Sequence, residues 1–276
     1  VGAGGHAWGI LSQSSPDGML LGLDVDRNAL EIARNRLSDF NDRVRLVHST
    51  YAALSSELLA CGWDHVDGVV VDLGVSSMQI DTPERGFSFL KDGPLDMRFD
   101  PSRSVSAADL INNSTESELA DILWQYGEER ASRKIARAMI NARPFETTLQ
   151  LAGLIEKTVG KSGKIHPATR SFQALRIAVN MELSSLSDFL PQAIESLSPG
   201  GRLAVISFHS LEDRIVKQFF RHESRDCICP PEQPVCTCDH HASIIEITRR
   251  PIEADIEETR QNPRARSAKL RVAEKK

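Results

Sequence analysis

Two acids close two apolar runs. Met19-Leu-Leu-Gly-Leu-Asp24 ends in Asp24, and Gly68-Val-Val-Val-Asp72 ends in Asp72, with Leu-Gly-Val-Ser-Ser following. The second run reads as a strand buried on both faces, opening at its carboxyl end into a loop. In open α/β sheets, ligands bind just outside such ends. Upstream, Gly2-x-Gly4-x-x-Ala7 leads into a helical pattern through Trp8, Ile10 and Leu11. Glycines let the backbone approach a ligand closely, a helix amino end offers free N–H groups, and an acid at the tip of the next strand can bind a ribose diol. Asp24 stands 24 − 2 = 22 residues after Gly2, close to the spacing of roughly 20 in nucleotide-binding turns. The glycine pattern alone makes only a tight turn; joined to Asp24 it points to a nucleotide-type ligand. Tyr51 follows a strand end, where an aromatic either stacks on an adenine ring or packs a helix start. His209 and Ser210 follow another apolar run, residues 203–208. If that strand lies beside the one ending at Asp72, His209 stands near Asp72 as a second catalytic candidate.

The elements that must position these groups alternate along the chain. Strands are expected near residues 19–24, 44–47 and 69–72, with helices near 28–37 and 51–61, which predicts a parallel, doubly wound sheet. Residues 81–101 break the pattern. Their Gly, Pro and charge content predicts a long loop, and Phe87, Phe89, Leu95, Met97 and Phe99 require it to be ordered. Residues 106–190 are almost purely helical in pattern; then a Gly-Gly turn at 200–201 restores the sheet, with further strands at 244–248 and at the end of the chain. The expected organisation is a first α/β segment over 1–104, an inserted helical segment over 105–184, and a second α/β segment over 185–276.

Three polar clusters stand apart from the strand ends. Arg130, Arg133, Lys134 and Arg137 fall on one helical face, either as a nucleic-acid stripe or as a solvated surface balanced by Glu128 and Glu129. In the string from His166 to Asn180, Arg170, Gln173 and Arg176 recur at three-residue spacing beside Phe172, Leu175 and Val179. Polar groups able to read a base or phosphate would project from that face, so His166, Arg170, Gln173, Arg176 and Asn180 are the candidate substrate-binding residues. Cys227-Ile-Cys-Pro-Pro-Glu-Gln-Pro-Val-Cys-Thr-Cys238 carries thiols suited to zinc. Two Cys-x-Cys pairs are not the usual two-spaced knuckle, so no metal ligand is assigned, and zinc at Cys227, Cys229, Cys236 and Cys238 stays open beside a metal-free loop. A basic tract, Arg264, Arg266, Lys269 and Arg271, leads into the terminal strand.

Composition sets bounds. The net charge is 33 − 38 = −5 over 276 residues, so contact with nucleic acid must come from local clusters. No apolar run approaches the ~20 residues that span a membrane. Five cysteines, an odd number, suit a reducing compartment, the cytoplasm, better than a disulfide framework.

Several strings together resemble one family. They are Gly-Gly-His at 4–6, Asp-Leu-Gly-Val-Ser-Ser at 72–77, Glu-Arg-Gly-Phe-Ser-Phe at 84–89 and Asp-Gly-Pro-Leu-Asp-Met-Arg at 92–98. Tyr-Gly-Glu-Glu-Arg at 126–130, His-Pro-Ala-Thr-Arg-Ser-Phe-Gln-Ala-Leu-Arg-Ile at 166–177, Ser-Phe-His-Ser-Leu-Glu-Asp-Arg at 207–214 and Asn-Pro-Arg-Ala-Arg-Ser at 262–267 complete the set. The chain resembles the bacterial MraW (RsmH) family of ribosomal RNA cytosine-N4 methyltransferases. The resemblance implies a class I, Rossmann-like S-adenosylmethionine methyltransferase sheet with an inserted helical domain. It implies methyl transfer to the exocyclic amine of a decoding-site cytidine in small-subunit (16S) rRNA, with that rRNA or the assembled 30S subunit as partner. Cofactor contacts then map onto Gly4, Gly5, His6, Asp24, Tyr51, Asp72 and Gln79. The family's first strand has no counterpart in this sequence, so two neighbouring strands are expected to lack a shared partner. Acceptors for the amine are expected from the Asp72 carboxylate and the carbonyls of residues 73–76. Two other readings fit some of the same residues: a nicotinamide oxidoreductase, which the Gly2 and Asp24 spacing suits equally well, and a non-catalytic RNA-binding module.

Overall fold

The computed structural model describes residues 1–161, 165–230, 232–233 and 235–276. It resolves into two compact units, Val1–Gly74 with Leu183–Lys276, and Val75–Glu182.

The first unit is α/β. Helix α1 (Gly5–Gln13) precedes β1 (Leu20–Asp24), α2 (Arg27–Arg36), β2 (Val44–His48), α3 (Leu54–Cys61) and β3 (Val66–Asp72). Strands β1 and β2 run parallel, Leu20 opposite Val44 and Asp24 opposite His48. Two apolar layers flank this pair. Ala7 and Leu11 of α1, Ala33 of α2 and Leu37 at its carboxyl cap pack with Leu20, Val44 and Leu46, while Leu21 and Leu23 face a second core built on Leu54, Leu58, Phe189 and Leu190. Alternate strand residues point to opposite faces, so this distribution is what winds helices onto both sides.

The second unit supplies α4 (Ser77–Asp81) and then five longer helices: α5 (Ala107–Asn113), α6 (Glu116–Gly127), α7 (Ser132–Ala142), α8 (Thr148–Val159) and α9 (Thr169–Asn180). Ser106, Thr115 and Thr147 cap three of them with reciprocal capping boxes, the device their sequences advertise as a hydroxyl three residues before an acid or amide. Leu119, Leu123, Ile135, Met139, Leu151, Ile155 and Leu175 are buried together. Burying each such side chain contributes roughly 1.5–3 kcal/mol. Leu95 and Met97 of the long loop are buried in the same cluster, with Phe87 and Phe89 packed against it. That packing is why the compact helical unit begins at Val75, 105 − 75 = 30 residues ahead of the start expected from helical pattern.

The chain returns to the α/β unit through α10 (Glu182–Ser196), β4 (Leu197–Ser207), α11 (Ser210–Glu223), β5 (Ile244–Glu246), β6 (Ile252–Glu253), α12 (Ile256–Gln261) and β7 (Lys269–Lys275). The sheet order is β3-β4-β7-β5, with β6 on β7. Strands β3 and β4 are parallel, Asp72 opposite Ile206. Strand β7 is antiparallel to β4 and β5, so the sheet is mixed rather than parallel throughout. Parallel pairing needs a long, usually helical crossover, and the α-helix between β5 and β7 is the six-residue α12. Among the described residues β1 and β3 are not hydrogen-bonded to each other. Each is therefore an edge, and β3 is not buried on both faces: Val71 is buried but Val70 is 45% exposed.

Candidate functional site

Both acids that close apolar runs lie at carboxyl ends of strands, β1 for Asp24 and β3 for Asp72. One short segment reaches both. Gly2 N donates to Asp24 Oδ2 at 2.8 Å, and His6 Nε2 lies 3.4 Å from Asp72 Oδ2. Between them the chain turns through Gly4, which caps α1 at φ +78, a backbone conformation that side chains other than glycine's resist. A Cβ on Gly4 would meet Ala33 of α2 at 3.4 Å and Leu37 at that helix's carboxyl cap at 3.5 Å, so this glycine also lets the turn lie against that helix. Asp24 Oδ1 accepts from Asp26 N at 2.8 Å. Oδ2 also accepts from the Val1 amino group at 3.2 Å, so the further acceptor capacity of this carboxylate lies on Oδ1.

The His6 and Asp72 side chains are 59% and 44% exposed. The hydrogen bond to Asp72 raises the His6 pKa above its ordinary value, with partial burial opposing. Beyond Asp72, Leu73 N still donates to Ile206 O at 3.0 Å, and Gly74 then turns the chain at φ +85. The Ser76 carbonyl already accepts from Ile80 N at 3.2 Å, since Ser76 caps α4.

Gly5 opens α1. Tyr51 meets Phe189 edge-on, ring centroids 5.3 Å apart, and borders the second core of the α/β unit. Gln79 belongs to the helical unit, is buried, and completes the Ser76 capping box through bonds of 3.0 and 3.2 Å. Strand β4 does lie beside β3, and His209 follows it at the cap of α11. Its ring is 8% exposed, with Nδ1 accepting from Glu212 N at 3.4 Å and Nε2 standing 3.2 Å from Glu212 Oε1. These contacts hold the turn after β4.

The helical candidates are drawn into their own unit. Asn180, 7% exposed, donates to Met97 O at 2.7 Å and accepts from Phe99 N at 2.7 Å, which pins the long loop to α9. Arg176 grips Glu182 with two bonds of 2.8 and 3.0 Å. Gln173 donates to Tyr126 O at 3.2 Å. His166 lies against Phe89, ring centroids 4.7 Å apart, and 3.6 Å from Glu156. Arg170 is exposed and donates to Glu128 O over a long 3.5 Å. Arg130, Arg133, Lys134 and Arg137 are all exposed. In the terminal tract, by contrast, Arg271 is buried and paired with Asp213 at 2.7 Å, so it is closed to a phosphate.

Sequence reasoning misses the Asp96–Arg98 pair at 2.6 Å and the Arg85 bonds to the Arg98 and Phe99 carbonyls. Both order the loop that carries Met97. The available signal is three arginines, Arg85, Arg98 and Arg103, in a segment that also carries Phe87, Phe89 and Phe99.

The sequence profile of the MraW methylase family matches residues 1–276. The chain is 53% identical over 276 residues to the ribosomal RNA small subunit methyltransferase H of Dehalococcoides mccartyi strain BAV1, covering 100% of this chain and 79% of that protein. It is 51% identical over 281 residues to the protein of that name from Citrifermentans bemidjiense, covering 100% and 90%. For Syntrophotalea carbinolica the identity is 52% over 278 residues, covering 99% and 88%.

Proposed function

Because the chain belongs to the MraW methylase family, we propose that it transfers the methyl group of S-adenosylmethionine to the N4 amine of a cytidine in the decoding region of small-subunit (16S) ribosomal RNA. The nicotinamide and non-catalytic readings are set aside by that membership. The observation that carries the reading is the convergence of Asp24 and Asp72 on one short amino-terminal segment, through Gly2 and His6.

That arrangement fits an adenosyl sulfonium. Asp24 Oδ1, which accepts one backbone bond, would hold a ribose hydroxyl, Gly4 and Gly5 let the backbone approach at the amino end of α1, and Tyr51 past the end of β2 would flank the adenine. When bound, the cofactor supplies an electrophilic methyl carbon on positively charged sulfur. The half-exposed Asp72 carboxylate favours positive charge nearby, and His6 steers it. The amine of cytosine is a weak nucleophile because its lone pair is delocalised into the ring. Acceptors that take hydrogen bonds from it allow charge to develop as it attacks, and one N4 proton then leaves to solvent. Asp72 and the carbonyls of Leu73 and Gly74 are the acceptors we assign to this step. His209 acts as a positioning residue through α11.

We assign RNA contact to the helical unit, through Arg130, Arg133, Lys134, Arg137 and Arg170, with Arg176, Gln173, His166 and Asn180 shaping the surface behind them. A base must leave its stack to reach such a site, which is cheapest in loop RNA. A ribosomal substrate implies work in the cytoplasm. The test is incubation with methyl-labelled S-adenosylmethionine and unmethylated small subunits, followed by nucleoside mass spectrometry. N4-methylcytidine at one position is expected; label in another nucleoside would refute the assignment.

A further inference from the structure

The twenty residues between α11 and β5, residues 224–243, contain among those described no helix, no strand and no buried side chain. Val235 is 68% exposed and Ile228 39%, so hydrophobic burial does not hold this loop. Loops of this length without internal structure are either functional or disordered. Yet its base is tied. Ser243 N donates to Glu223 O at 2.9 Å, His240 Nδ1 lies 2.9 Å from Arg225 O, and Ala242 N donates to Asp226 at 3.2 Å.

At its centre the Sγ atoms of Cys227, Cys229, Cys236 and Cys238 all lie within 4.8 Å of one another. Cys236 and Cys238 are 3.5 Å apart, and Cys238 and Cys227 3.9 Å. None is in a disulfide. Four sulfurs held tetrahedrally at about 2.3 Å from one zinc ion would stand about 3.8 Å apart. The two Cys-x-Cys turns also serve each other. Ile228 N, between Cys227 and Cys229, points at Cys238 Sγ, and Thr237 N, between Cys236 and Cys238, points at Cys229 Sγ, both at 3.5 Å. Amide donors aimed at sulfur favour thiolates and orient them, the role outer hydrogen bonds play around metal ligands.

We propose that Cys227, Cys229, Cys236 and Cys238 bind one zinc ion as a closed, structural centre that folds the loop between α11 and β5. Spacing alone argues against a knuckle; the fold supplies four sulfurs within 4.8 Å of one another by bringing two one-residue turns face to face. Four protein thiolates leave no open position for substrate, so the ion stabilises rather than reacts. On binding, the thiols release their protons to solvent.

Elemental analysis of the protein purified under reducing conditions should return one zinc per chain, and cobalt substitution should give the absorption of a tetrahedral tetrathiolate. Cys236→Ser should lose zinc to a competing chelator, whereas Cys61→Ser, outside the cluster, should retain it. Chelation should open residues 224–243 to protease while the rest of the chain resists. Metal-free protein whose four thiols react at once with a thiol reagent would overturn the proposal. So would iron in place of zinc, or two disulfides. If Cys236→Ser does not fold, zinc content and the cobalt spectrum of the unaltered chain still decide.

Discussion

At the strand ends of the α/β unit, His6 and Asp72 are 59% and 44% exposed; on α9 of the helical unit, Arg176 is 18% exposed and Asn180 7%. The residue types are equally polar, and the sequence presents both sets as ligand-binding. A side chain at the very end of a parallel ladder has few neighbours, because the chain is leaving the sheet, so its polar atoms stay available to a ligand. A polar residue on a helix in a bundle sits among loops whose amides and carbonyls need partners. Asn180 meets that need for Met97 and Phe99. Position in the fold, more than residue type, separates a group left open to a ligand from one that holds the protein together.

Replacing Asp72 by Asn should expose this difference most sharply. Removing one preorganised charged acceptor is expected to slow methyl transfer about a hundredfold, read in single-turnover assays, while the melting temperature holds. Asn180→Ala should do the reverse. It leaves a buried N–H and a carbonyl unpaired, which costs about 2 kcal/mol, read as a lower denaturant midpoint with cofactor affinity intact. If Asn180→Ala instead spared stability and cut RNA binding, the distinction between the two regions would collapse. Asp24→Asn is expected to weaken S-adenosylmethionine binding about tenfold by calorimetry, since a charge-assisted bond to the diol becomes a neutral one. Changing Arg133 and Lys134 to Gln should lower RNA affinity a few-fold. It should also flatten the salt dependence by about one unit of log–log slope for each phosphate no longer engaged. The smallest effect is at His6. Its NMR titration should lie above the ordinary 6.5 and fall back in Asp72→Asn. A pKa raised by folding means the His6–Asp72 contact stabilises fully below that ordinary value and fades as pH climbs through the raised one.

Much of the α/β unit is legible directly. The apolar runs ending at Asp24 and Asp72 and the glycine turn at Gly2 and Gly4 are short-range patterns whose geometry follows from neighbours in the chain. Other features are not legible in this way. The exposed face of β3 at Val70, the antiparallel β7 and the pairing of Arg271 with Asp213 across 58 residues depend on which distant segment lies alongside. Arg271 looks like part of a basic tract because its neighbours are basic; its place in β7 turns it inward instead.

The amino-acid sequence by itself determined the strand–helix order, the acids at the strand tips and the membership of the family, because local periodicity and motif spacing are properties of neighbouring residues. Only the tertiary structure decided that one short segment reaches both Asp24 and Asp72, that Asn180 is a brace, and that four thiols separated as two Cys-x-Cys pairs meet within 4.8 Å. Contacts between distant residues are set by how elements pack against one another, and packing is a collective solution that no single stretch of chain encodes.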